Sequence, residues 1–138
     1  MKYGQLIVEK NEYSLLMRNI LNSRSQEDKI YRDSIHKLKT ELQTAKIISK
    51  GNMPDDIIRY DSIVSIQTPY DVERSYQIVT PEMSNIKQNK ISILSPMALA
   101  LFGYATGDEV EWQFPSGMNT IKIIGVIQKD SLVKNELT

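Results

Sequence analysis

Residues 91–117 read ISILSPMALALFGYATGDEVEWQFPSG, and the order of apolar, capping and turn residues along them decides the fold. Ile91 and Ile93 alternate with polar neighbours, the pattern of a strand with one face buried. Ser95-Pro96 then opens a helix: a serine hydroxyl accepts from first-turn N–H groups, and proline at the first helical position has no N–H left to satisfy. Met97, Leu99, Leu101, Phe102 and two alanines make this short helix almost wholly apolar, which calls for burial against a sheet. Gly103 is placed to end it with a positive φ. Gly107-Asp108 turns the chain into Val110, Trp112 and Phe114, a second alternating strand that stops at Pro115-Ser116-Gly117. Strand, buried plug, strand and hairpin make an α+β module.

Downstream, residues 120–128 alternate Ile121 and Ile123 and are expected to pair with 110–114 across the Pro115–Asn119 turn. Upstream, residues 63–68 and 74–79 flank Pro69-Tyr70-Asp71-Val72 and are expected to form a hairpin. Residues 81–88 read as a polar loop leading into a strand over 90–94. The body is thus expected to be an antiparallel sheet of five strands with one short helix, followed by a loosely docked polar tail from Lys129 to Thr138.

The N-terminal part has a different period. Leu6-Ile7-Val8 is a short β-prone run, either an added edge strand or an anchor. Tyr13, Leu16, Met17, Ile20 and Leu21 recur at steps of three and four, giving one apolar stripe on a helix. After the break at residues 22–25, Ser25 can cap a second helix beginning Gln26-Glu27-Asp28, with the acids where the helix dipole favours them. Tyr31, Ile35, Leu38, Leu42 and Ala45 then step as a heptad seam. The spacing predicts a short antiparallel helical hairpin, a coiled coil, in which a ~17 Å first helix faces a ~33 Å second one reaching to about residue 48. Gly51 and Pro54 punctuate its end, dividing the chain into a hairpin over 1–50 and a body over 51–138. Asp55-Asp56 reads as a turn or cap, and His36, the lone histidine, as a packing or surface residue.

Composition narrows the functions. The 138 residues contain no cysteine, which removes disulfide frameworks and thiolate metal sites and agrees with a cytoplasmic location. No stretch approaches the ~20 apolar residues of a membrane-spanning helix, and the first residues show no signal-peptide pattern, so no membrane partner is expected. Seventeen basic and seventeen acidic side chains cancel, which argues against strong independent nucleic-acid binding and for a protein partner. A monomer is the expected state, with self-association open through any exposed part of the seam.

The run Ser95-Pro96, small apolar helix, Gly103, Gly107-Asp108, alternating strand and Pro115-Ser116-Gly117 resembles the C-terminal domain of the bacterial transcript-cleavage (Gre) factors, the GreA/GreB family. Residues 42–58, with Met53-Pro54-Asp55-Asp56, are similar in particular to the Rnk branch, the regulators of nucleoside diphosphate kinase. The resemblance implies a body folded like FK506-binding prolyl isomerases and docking on RNA polymerase near its secondary channel. The docking surface would correspond to Leu94, Ser95, Pro96 and Met97. The hairpin tip would hold Arg24, Glu27 and Asp28.

Gre factors carry at that tip an Asp and a Glu three residues apart that help hold a Mg²⁺ in the polymerase. That arrangement is missing here, and Glu27-Asp28 is explained by the helix dipole. The expectation is therefore a binding regulator that is not itself an enzyme and needs no cofactor, with the nucleoside diphosphate kinase pathway implied by the Rnk likeness. Two alternatives stay open: an active cleavage factor using Glu27, Asp28 or Asp33, and a prolyl isomerase drawing on Trp112, Phe102 and Phe114.

Overall fold

The computed structural model describes residues 1–23, 29–69, 73–114 and 117–129. In chain order the elements are β1 (Ile7–Glu9), α1 (Lys10–Leu21), α2 (Lys29–Leu42), β2 (Lys46–Ile48), β3 (Ile63–Gln67), β4 (Arg74–Val79), β5 (Lys90–Ser92), α3 (Pro96–Leu101), β6 (Glu109–Phe114) and β7 (Gly117–Ile127). No described helix is long and apolar enough to cross a membrane. The tip residues Arg24, Glu27 and Asp28, the Ser25 cap and the tail beyond Lys129 lie outside the described residues.

The segment after Ser95 forms the plug its composition demands. Pro96 occupies the first turn of α3, the Ser95 hydroxyl accepts from the Ala98 N–H at 3.3 Å, and Ala98, Leu99, Ala100 and Leu101 are all buried. They meet a curled sheet of order β5-β4-β3-β7-β6 among the described residues. Its inner face presents Val64, Ile66, Ile78, Val110, Ile121 and Ile123, each buried. β7 is the spine: over its 11 residues it pairs antiparallel with β6 along its first half and with β3 along its second. The β3–β4 and β6–β7 pairings follow the hairpins expected from sequence, except that β7 already begins at Gly117, opposite Phe114, and Met118 and Asn119 lie in the strand rather than in the turn.

The sheet is mixed rather than antiparallel throughout, because β5 runs parallel to β4. Strands joined by a tight turn must be antiparallel, whereas the 80–89 connection contains two short 3-10 turns, at Pro81–Met83 and Ile86–Gln88. It carries the chain back so that β5 runs alongside the second half of β4, with Lys90 opposite Gln77 and Ser92 opposite Val79.

The N-terminal part departs further from its reading. α2 ends at Leu42, not near residue 48. Tight turn bonds from Gln43, Thr44 and Ala45 to Thr40, Glu41 and Leu42 close it, and Lys46 N–H then donates to the Leu6 carbonyl at 2.8 Å. β-branched Ile47 and Ile48 continue as β2, parallel to β1. The described part of α2 therefore does not reach the ~33 Å expected of it: it has 14 residues, against 12 in α1. Nor is Gly51 a helix stop, since it sits inside a 3-10 turn at Lys50–Asn52.

A coiled coil is likewise not evident. α2 packs on α3, and α1 packs on β1 and β2. The seam residues Leu38 and Leu42 are buried in the same core as α3 and the sheet, while Met17 and Ile20 face Tyr31 and Ile35 across an open groove. A heptad step specifies one apolar stripe, and the body of the protein covers that stripe as well as a second helix would.

Gly103 ties these parts together. Its φ is +85°, its N–H donates to the Ile58 carbonyl at 3.1 Å, and its carbonyl accepts from Ile7 N–H at 3.4 Å. A Cβ there would lie 3.2 Å from a Leu6 methyl and 3.3 Å from the Leu6 Cβ. Gly103→Ala is expected to destabilise the fold by at least about 1–2 kcal/mol from the left-handed backbone alone, with the Leu6 clash adding to it. Urea denaturation of the variant beside Gly107→Ala, where the added Cβ meets nothing within 4 Å, separates the two causes.

Candidate functional site

Leu94, Ser95, Pro96 and Met97 form the bend that joins β5 to α3. The backbone there is held on all sides. Ile93 N–H donates to the Val79 carbonyl at 2.8 Å, Leu94 N–H to the Ser92 hydroxyl at 3.0 Å, and Ser95 N–H to the Ser92 carbonyl at 2.9 Å. Ser95 in turn caps α3. All four side chains are half-buried, and Leu94 and Met97 pack partly against the core. The bend thus presents a rigid surface of partly exposed apolar groups around the Pro96 ring, at the end of an edge strand.

Two exposed apolar residues were missed by reading 81–88 as merely polar. Met83 and Ile86 are 57% and 85% exposed, on the two 3-10 turns that precede β5. The signal was present as two large apolar residues in an otherwise polar loop, but no periodicity marks a residue that is apolar and outward-facing at once.

The helices are fastened to the body by polar contacts that no motif announces. The Arg59 guanidinium donates to the Glu12 carboxylate through Nε at 2.9 Å and also through Nη2, and the other Glu12 oxygen accepts from Tyr60 N–H at 3.1 Å. The Tyr60 hydroxyl donates to Asn19 at 2.8 Å, and the Tyr104 hydroxyl to Glu41 at 2.7 Å. Burial first, and then the Glu12 charge, pushes the Tyr60 phenol well up from 10.0. Burial and the bond to Glu41 do the same for Tyr104.

At the N-terminus, Lys2 N–H donates to buried Asp108 at 2.5 Å, and Asp56 accepts from the Lys2 ammonium and from the Tyr3 hydroxyl, the latter at 2.7 Å. Burial raises the Asp56 carboxyl, but these two donors outweigh it and hold the group below its usual range. Asp55-Asp56 is thus a turn whose second member anchors the N-terminus.

The other residues singled out from sequence are not gathered at the bend. Asp33 is exposed on α2 and lines a groove beside β6. His36 is exposed and borders the gap between α1 and α2. Of the three aromatics an isomerase pocket would draw on, Phe102 is buried edge-on to Tyr60 with ring centroids 5.6 Å apart, and Trp112 is half-buried at the β6 groove. The Phe114 side chain lies outside the described residues. Phe102 and Trp112 do not share a wall of that groove.

The profile described as "Transcription elongation factor, GreA/GreB, C-term" matches residues 53–128, more than half of the chain and all of the large sheet. The chain belongs to the GreA/GreB family. Proteins named transcription elongation factor GreA from Nitrosococcus oceani and Brucella anthropi are 38% and 34% identical to this GreA/GreB-family chain over 94 and 93 residues, 67% of it in each case. These matches span 60% and 59% of the relatives' own lengths. A prokaryotic transcription elongation factor GreA/GreB structure from Nitrosomonas europaea shares the fold, with a TM-score of 0.70 over 89% of this chain and 98% of that one at 24% identity.

Arg59→Leu leaves the Glu12 carboxylate partly buried without its cation, and the expected loss is about 2–3 kcal/mol in urea denaturation. Glu12→Gln, which keeps an acceptor for Tyr60 N–H, should lose less. A phenol raised in the fold contributes stability that is complete below the unfolded value of 10.0 and is lost as pH rises above it. The urea midpoint should therefore fall above about pH 10, and Tyr60→Phe with Tyr104→Phe should flatten that fall.

Proposed function

We propose that this chain is a cytoplasmic transcription regulator that docks on RNA polymerase near the secondary channel through Leu94, Ser95, Pro96 and Met97, without stimulating transcript cleavage. The observation that carries this reading is the position of that bend. It lies inside the segment matched to the GreA/GreB C-terminal domain, with Ser95 capping and the edge strand β5 holding it in one conformation. A surface fixed before it meets its partner loses little conformational freedom on binding, which favours a contact of a few partly exposed apolar side chains.

The second half of the proposal rests on the helices. A carboxylate pair can act on a polymerase-bound metal only if a hairpin delivers it there. α1, at 12 residues, extends ~18 Å, and α2 gives way to a strand beyond Leu42. Residues 24–28 read RSQED, without an Asp and a Glu three residues apart. The likeness of residues 42–58 to the Rnk branch, and the apolar Leu94, favour a regulator that competes with longer factors.

The test is competition for core RNA polymerase. Labelled protein bound to polymerase should be displaced by an active GreA-type factor, and Pro96→Ala should weaken binding about tenfold while keeping the α3 cap. Backtracked complexes should show no faster cleavage when the protein is added. Faster cleavage, lost in Glu27→Gln or Asp28→Asn, would replace the regulator by a cleavage factor. Absence of binding at about 10 µM would end the polymerase reading.

A further inference from the structure

At the end of the sheet opposite β5, β6 is an edge strand of six residues. Among the described residues β7 is its one strand partner, and Glu111, Trp112 and Gln113 of β6 border a groove of about 360 Å³ between β6, β7, α2 and α3. The floor is apolar and belongs to the core, with Leu38 from α2 and Leu99 and Ala100 from α3. Trp112, half-buried, and Met118, 57% exposed, form the wall on the β6–β7 side. A strand edge that no described strand covers, beside an apolar slot, is the arrangement on which an extended peptide adds as a further strand, with its backbone on the edge and alternate side chains in the slot.

The rim says which peptide. Asp33 and Glu41 on α2 and Glu111 on β6 stand around the slot, against one cation, Lys37. Asp33, Lys37 and Glu41 are spaced four apart on one ridge of α2, so the ammonium lies between two carboxylates and cannot balance the third. Glu41 is already an acceptor for the Tyr104 hydroxyl, which fixes its position at the inner end. An acidic segment would meet like charge on both walls. A basic one would meet opposite charge, and the Trp112 ring offers a cation a further favourable face.

We propose that the β6 edge and its groove form a binding site for an extended, basic polypeptide segment, which places an aliphatic side chain between Trp112 and the Leu38–Leu99 floor and lysine or arginine side chains against Asp33 and Glu111. No groove residue belongs to the Leu94–Met97 bend, so the site does not depend on polymerase docking there. One wall is α2 and the other is the sheet, so a bound segment also bridges the helices and the body.

The protein's single tryptophan is in the groove, and its emission therefore reports on this site alone. The full-length protein is titrated, without polymerase, with three capped hexapeptides: KVLVRK, its acidic counterpart EVLVEE, and KSSSRK, which keeps the charge but lacks the aliphatic residues. KVLVRK should shift Trp112 emission to the blue and saturate, with affinity at least about tenfold above either control. Glu111→Lys and Asp33→Lys, both at exposed positions, should each weaken KVLVRK by about tenfold while leaving the urea midpoint unchanged. A change with no saturation below about 1 mM, or equal binding of EVLVEE, would overturn the proposal. So would a concentration-dependent dimer in sedimentation that shields Trp112 without peptide, since a second copy would then be the occupant.

Discussion

The structure depends on the close approach of the N-terminal strand to Gly103. A helix whose last turn is buried must end inside the core, and the groups it leaves there must find partners. Gly103 supplies the left-handed turn, hands its N–H to Ile58 and its carbonyl to Ile7, and leaves room for the Leu6 side chain where a Cβ would be. One residue thus joins the plug helix, the segment before β3 and the first strand of the chain. With β1 seated there, β2 can pair beside it, and α2 must stop short of the length its heptads allow.

This arrangement makes the helices part of the body rather than an arm attached to it. Leu16, Tyr31, Leu38 and Leu42 share one core with the sheet and α3. Around that core, Glu12 with Arg59, Asn19 with Tyr60, and Glu41 with Tyr104 are partly buried polar contacts whose geometry admits one placement of the helices. Such contacts add modest net stability but penalise alternatives strongly, because any shift leaves a buried donor or acceptor unsatisfied. For a protein of the GreA/GreB family the consequence is positional: the direction of the helices and the orientation of the Leu94–Met97 bend are set together.

The two edges of the large sheet differ for a physical reason. At β5 the returning 80–89 connection packs against the edge strand and carries Met83 and Ile86 exposed on its two 3-10 turns. At β6 the neighbour is α2, which stands off far enough to leave an apolar slot. An exposed edge is a hazard unless it is covered or charged, and Glu109 and Glu111 on β6 supply the charge. The same charge selects what can approach.

By itself the sequence determined what depends on neighbours a few residues apart. The capped plug from Ser95 to Gly103, the β3–β4 and β6–β7 hairpins and the bend at Leu94–Met97 were legible, because cap chemistry, two-residue alternation and turn residues act over one or two turns of chain. The family was legible for the same reason, since its motif is local. Only the tertiary structure decided which surface covers each apolar stripe. The heptads of α2 specify a stripe but not its partner, and the partner is α3 and the sheet. The strand at Lys46–Ile48 exists because Ile7–Glu9 lies alongside it, and the parallel placement of β5 follows from the path of a loop. The Glu12–Arg59 contact joins residues 47 positions apart, and the β6 groove is lined by residues of α2, α3, β6 and β7. Local physical chemistry fixes what each segment is. Burial of the whole chain fixes what it meets, and that lies beyond any pattern read along one segment.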